Sequence, residues 1–201
     1  MDDIKRRRHS ERGYSLVEMM LVVGVIGVVT ALAVVQMGPA RDNARGDAAM
    51  RVVTAQLNQA REQAIGQRRY IRVTFDTTKN QVSMVREDTT ATTTTLSIVG
   101  FEGGATFTLV SGLPDTPDAF GKATSTAFTS SNGAFASLSG STSVVKFSPD
   151  GTLVDWNGRV ANGTVFMALS NIKTSARAVT VLGSTGRVRA YRWDGSAWKV
   201  V

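Results

Sequence analysis

Arg12-Gly13-Tyr14-Ser15-Leu16-Val17-Glu18-Met19-Met20-Leu21-Val22-Val23-Gly24-Val25 decides how this chain of 201 residues is organised. A short basic leader ends in glycine, and an apolar run begins at once with an aromatic residue. Between residues 16 and 35, Glu18 is the only charge. As a helix rising about 1.5 Å per residue, that run is roughly 30 Å long, the thickness of a bilayer's hydrocarbon core. A carboxylate inside such a helix costs on the order of 2.5–3.5 kcal/mol on insertion scales, less near an end, so it marks a function and needs a partner. A secretory signal peptide would have a shorter apolar region with a small-residue cleavage site behind it, whereas here the Gly-aromatic junction lies in front of a longer helix. Lys5, Arg6, Arg7, Arg8 and Arg12 outnumber Asp2, Asp3 and Glu11 in the leader. Basic flanks stay cytoplasmic, so everything after the helix is expected on the far side of the membrane.

Gly13, Tyr14, Ser15, Leu16, Val17 and Glu18 resemble the processing site of type IV prepilins and type II secretion pseudopilins. The resemblance implies that a prepilin peptidase cuts between Gly13 and Tyr14 and methylates the new α-amine. It also implies that Glu18 pairs with a neighbouring subunit's amine during filament assembly. The family more often has phenylalanine where Tyr14 stands, and tyrosine keeps the aromatic ring.

Composition narrows the chemistry. The chain has no cysteine, and its single histidine, His9, belongs to the leader. The chain beyond residue 13 therefore lacks both residue types, which removes thiol catalysis, histidine triads and most zinc or copper sites. Asp115, Asp118, Asp150 and Asp155 are not arranged as a metal loop. The expectation is no enzyme, no cofactor and no metal; a membrane-tethered enzyme is the remaining alternative of that class.

Four segments follow. Residues 1–13 are the leader, and 14–38 the hydrophobic transmembrane and assembly helix. In residues 39–67 the pattern is again helical: Ala49, Val53, Leu57, Ala60 and Ala64 recur every three or four positions, while Arg45, Arg51, Arg61 and Glu62 fall largely elsewhere. Pro39 can end or kink the helix, and Gly46 is a weak point in it. Gly24 and Gly27 permit close helix packing or are simply tolerated in a membrane helix.

Residues 68–201 read as β structure. Ile71, Val73 and Phe75 alternate with polar residues up to Thr77-Thr78-Lys79-Asn80, after which Val82 and Met84 alternate in turn, a hairpin. A Thr-rich stretch, 89–95, opens a Gly/Ser/Thr-rich region running to Ser143, with short strands expected around 96–99 and 106–110 and mobile loops between them. Strands are clearer at 145–147, 165–169, 178–182 and 187–193, with Asp194-Gly195 turning a last hairpin toward residues 198–201. The fold class is α+β: a long N-terminal membrane-spanning amphipathic helix packed on an antiparallel sheet domain, the lollipop arrangement of pilin-like proteins.

Phe147-Ser148-Pro149-Asp150-Gly151-Thr152, the apolar strand at 165–169 and Gly186-Arg187-Val188-Arg189 resemble the GspH/FimT branch of minor pseudopilins and minor pilins. That resemblance implies a low-abundance filament subunit in the bacterial inner membrane with an exported C-terminal domain, whose partners are the prepilin peptidase and other pilins or pseudopilins.

Charge raises an alternative. Five of the 23 basic and three of the 16 acidic residues sit in the leader, so the remainder carries 18 against 13. From residue 156 onward Arg159, Lys173, Arg177, Arg187, Arg189, Arg192 and Lys199 face only Asp194. A basic strand with interleaved aromatics is the footprint of a nucleic-acid surface. With Val188 and Ala190 turned inward, Arg187, Arg189, Tyr191 and Trp193 would point outward together, two guanidinium groups for phosphates and two rings for bases. In DNA-uptake minor pilins of the FimT type the matching Gly-Arg-x-Arg motif belongs to the DNA-binding region, so the resemblance makes DNA the alternative partner. The competing reading is that the motif closes the sheet and its charge solvates an exposed strand.

Overall fold

A computed structural model describes residues 14–89, 92–122, 125–130, 142–170 and 172–201. Gly13, the rest of the expected leader and residues 131–141 of the Gly/Ser/Thr-rich stretch lie outside the described residues. The chain divides into two compact units at Ala40/Arg41.

Helix α1 spans Leu16–Gln67 and runs on through Pro39 without ending there. Its segment beyond Arg41 is amphipathic as the spacing predicts: Ala49 is 2 % exposed, and Val53, Leu57, Ala60 and Ala64 are fully buried. The stripe packs on two five-stranded antiparallel sheets. The first contains β1 (Ile71–Asp76), β2 (Gln81–Glu87), β3 (Thr93–Gly100), β5 (Thr142–Phe147) and β6 (Leu153–Val154), in the order β3-β2-β1-β5-β6. The second contains β4 (Thr126–Ser130), β7 (Ala161–Met167), β8 (Arg177–Leu182), β9 (Arg187–Trp193) and β10 (Trp198–Val200), in the order β10-β9-β8-β7-β4.

Both expected hairpins form: Asp76 pairs with Gln81 across the first, and Trp193 with Trp198 across the last. The Thr-rich stretch enters β3 from Thr93 onward. The strand expected at 106–110 does not form. Thr106 makes a single bridge to Ala168, and the chain then changes sides: Phe107 packs in the core shared with α1, whereas Val110 and Leu113 pack on the opposite face of the second sheet. A segment that crosses a sheet edge this way cannot keep the strand period.

This crossing gives the second sheet two buried faces. Val165 and Met167 of β7 lie in the core with α1, and Phe166 and Ala168 lie in a second cluster with Tyr191, Trp193 and Trp198. Burial on both sides explains why the run 165–169, which begins in β7, is continuously apolar. Phe75 of β1 stacks on Phe128 of β4, with ring centroids 5.6 Å apart, and joins the two sheets.

Three close approaches lock helix and sheets. A Cβ on Gly46 would sit 2.4 Å from the Ser175 carbonyl oxygen, so this glycine is a packing contact rather than a weak point. Gly186 has φ +62°, and a Cβ there would meet the Gly151 carbonyl oxygen at 2.1 Å, beside Arg61 of α1. The two motifs that resemble GspH/FimT sequences therefore touch each other and the helix. Arg177, with no exposed surface, donates to Asp47 Oδ1 (2.5 Å), to the carbonyls of Thr174 and Ala176 (both 2.9 Å) and to that of Asn43 (3.1 Å).

Removing the anion from a buried ion pair leaves an uncompensated charge. Asp47→Ala should lower the stability of the domain by about 3 kcal/mol, and Asp47→Asn by less, because asparagine retains an acceptor for the guanidinium. Denaturant unfolding of the full chain in detergent, followed by tryptophan fluorescence, checks the order and size of the two losses.

Candidate functional site

In the N-terminal unit the described residues begin at Tyr14, and the expected cleavage partner Gly13 lies outside them. Tyr14 is exposed, the Met19 amide donates to the Ser15 carbonyl at 3.1 Å, and Glu18 occupies the first turn of α1. A carboxylate there is favoured by the unpaired amides of the helix start. Apolar side chains around the helix, including Leu16, Val17, Met20, Val25, Val28 and Leu32, are 54–75 % exposed. The helix is long and apolar enough to cross a membrane, with a mean hydropathy of 2.4 over its most apolar window. Among the described residues no ion pair involves Glu18.

On β9 the four residues proposed to face DNA do share one side of the strand, but that side is covered. Tyr191 has no exposed surface and Trp193 is 8 % exposed. Both pack against Phe166, Trp198, Val110 and Leu113, and the Trp198 indole donates to the Pro114 carbonyl at 3.0 Å. The expectation that these rings point outward for base stacking is therefore corrected. The segment around 105–122 lies over them, and its apolar residues are too scattered in the sequence to announce a second core.

Asp118 is the polar centre of this covering, and sequence reading missed its role. Its Oδ2 accepts from the Thr180 hydroxyl (2.6 Å) and the Tyr191 hydroxyl (2.9 Å), and its Oδ1 from Arg189 (3.3 Å). Partial burial pushes the Asp118 carboxyl up, yet the hydrogen bonds from Thr180 and Tyr191 and the charge of Arg189 outweigh it and hold the group below its ordinary value. Burial pushes the Tyr191 hydroxyl up, assisted by its bond to Asp118.

The basic excess at the C-terminus has a similar resolution. Arg177 and Arg192 meet Asp47, Arg189 meets Asp118 and Lys199 meets Asp194. Two of those three carboxylates come from elsewhere in the chain, so the local count overstates the free charge. Arg187 is exposed and makes no ion pair within 4 Å among the described residues. Among the described residues no cluster of three or more His, Cys, Asp or Glu could hold a metal ion.

Residues 8–34 match the family model described as the prokaryotic N-terminal methylation motif. These residues carry the N-terminal methylation motif of prepilins. The motif implies processing by a prepilin peptidase, and the hydrophobic helix is consistent with inner-membrane anchoring of a prepilin before assembly. Among solved structures the chain is similar to the type IV minor pilin FimU of Pseudomonas aeruginosa, at 17% identity over 71% of this chain and 84% of that one, with a TM-score of 0.40. It is also similar to the minor pseudopilin EpsH from the Type 2 Secretion System of Vibrio cholerae, at 9% identity over 76% of this chain and 99% of that one, with a TM-score of 0.49. Comparison with curated proteins gives no match.

Because the Asp118 carboxyl titrates lower folded than unfolded, its contribution is complete above about pH 4 and is lost as pH falls through the lowered folded value. Asp118→Asn should cost about 1.5–3 kcal/mol at neutral pH and make the stability less sensitive to acid than in the parent. Parallel unfolding curves of the two proteins from pH 7 downward check both the offset and its convergence.

Proposed function

We propose that this protein is a minor pilin or pseudopilin of the GspH/FimT type. It is cut between Gly13 and Tyr14, methylated on the new α-amine, and drawn into the filament of a type II secretion or type IV pilus machine. Its C-terminal domain lies on the periplasmic side and its partners are other pilins or pseudopilins. The observation that carries this reading is a helix whose apolar surface is exposed, bearing Glu18 in its first turn directly behind the Gly-aromatic junction. In a bilayer that carboxylate is costly alone, and a neighbouring subunit's N-terminal amine offsets the cost while specifying register.

The DNA-uptake alternative receives no support from β9. A strand that binds single-stranded nucleic acid presents rings for stacking. Here the rings are core residues and Arg189 is engaged by Asp118. Of the four residues, Arg187 is exposed and makes no ion pair among the described residues.

Processing is read from the mass of the mature chain. In cells with their prepilin peptidase it should begin at methylated Tyr14, and in cells lacking the enzyme it should keep the leader; a mature form that retains Arg12 would contradict the reading.

Glu18 is separable from folding. Losing a first-turn carboxylate costs a helix about 0.3–1 kcal/mol, so Glu18→Ala should insert and fold. It should nevertheless lose most cross-linking to neighbouring subunits through α1. Cross-linking and filament function at parental levels would rule out charge pairing.

A further inference from the structure

The first sheet ends in a cleft of about 520 Å³ at the start of β1. Tyr70 and Trp156 line it and are 42 % and 50 % exposed, far more than the other tryptophans. Between them lies Lys146 of β5, its ammonium 5.2 Å from the Tyr70 ring centre and 4.9 Å from that of Trp156. Arg72 of β1 also stands over Trp156, at 4.8 Å, and donates to Glu87 at 2.7 and 3.1 Å. These cation–ring contacts fix two large aromatic side chains in place before anything binds.

Lys146 meets its carboxylate only loosely. Its side chain is only 14 % exposed, yet among the described residues its ammonium meets a single carboxylate oxygen, Glu87 Oε2, at 3.7 Å. That is beyond hydrogen-bonding distance for a group with three donors. Arg68, at the same cleft, makes no ion pair among the described residues. Both cations line the cleft without a hydrogen-bonded carboxylate among the described residues, so a ligand's carboxylate can meet them there.

The charge balance selects the class of anion. Arg68, Arg69 and Lys146 line the cleft with Glu87 and Asp88, three cations against two carboxylates. Nucleic acid binds by neutralising a succession of phosphates, and two carboxylates at the contact oppose that. A single carboxylate beside an apolar side chain suits the balance. Moreover, Tyr, Trp and Arg are the residues that concentrate binding energy in protein–protein interfaces.

We propose that this cleft docks a segment of a partner protein that carries one carboxylate next to an apolar side chain, the carboxylate meeting the cations Lys146 and Arg68 and the apolar side chain laid on Trp156. The site lies in the unit that begins at Arg41, remote in sequence from Glu18, so it stands or falls separately from that residue's assembly role.

The test uses the full chain in detergent and a short synthetic peptide with one glutamate beside one leucine, its other residues being serine and glycine. At low salt, titration calorimetry should show the peptide binding the parent, and more weakly as salt rises. Trp156→Ala and Lys146→Gln should each weaken binding about tenfold or more, while Trp156→Phe, which keeps a ring, should retain most of it. Arg187→Gln, away from the cleft, should bind as the parent does. An unchanged melting curve for Trp156→Ala excludes misfolding as the cause of its loss. The proposal is overturned by absence of peptide binding at low salt, by equal binding of the peptide with glutamine in place of its glutamate, by insensitivity to both variants, or by tighter binding of oligothymidylate than of the peptide.

Discussion

The apolar stripe that runs through Ala49, Val53, Leu57, Ala60 and Ala64 is the surface on which both sheets close, and most of the remaining contacts depend on its position. Its alanines keep the helix thin, which brings the strands within reach of backbone. Ser175 can then approach Gly46, Arg61 reaches the Gly151 carbonyl at 3.3 Å, and Arg177 reaches Asn43 and Asp47. Each contact ties a sheet to the same helical segment. Small residues along the stripe thus set a distance as well as supplying apolar area, and close packing makes that distance intolerant of added atoms.

Charge in this domain is balanced in space and not along the chain. Asp47 and Asp118 lie 130 and 71 residues from Arg177 and Arg189, the cations they neutralise. The basic, aromatic strand β9 consequently serves as the seal between the second sheet and the segment that covers it. Exposed aromatic side chains flanked by cations occur instead at the end of the first sheet, around Trp156 and Tyr70. The surface suited to a partner and the strand richest in basic residues are therefore different places.

One helix serves two environments. Beyond Arg41 its stripe from Ala49 to Ala64 is buried in one core with the strands; before Ala40 the apolar residues Leu16, Val17 and Leu32 remain exposed. Exposure of so much apolar area is stable in lipid or against other helices and not in water, which is the physical content of an anchoring and assembling segment. Glu18 adds the single polar element at the end where the methylation motif lies.

The sequence by itself determined the features governed by local period and local chemistry. The apolar run with Glu18, the stripe from Ala49 to Ala64, the β1–β2 and β9–β10 hairpins and the alternation within β9 were all legible, because period, turn residues and strand spacing act over a few residues. The N-terminal methylation motif was legible for the same reason, being contiguous. Only the tertiary structure decided which face of β9 meets water: two faces of a strand differ by what is packed on them, and the covering came from a segment without periodicity around Val110, Leu113 and Asp118. It likewise decided that Arg177 is buried and that Gly46 and Gly186 are contact points, since a distant carboxylate or carbonyl leaves no mark beside the residue it constrains. The Tyr70–Trp156 cleft is of this second kind, assembled from the α1–β1 connection, the end of β2, Lys146 of β5 and the turns around Pro149 and Asn157, which stand far apart in the chain.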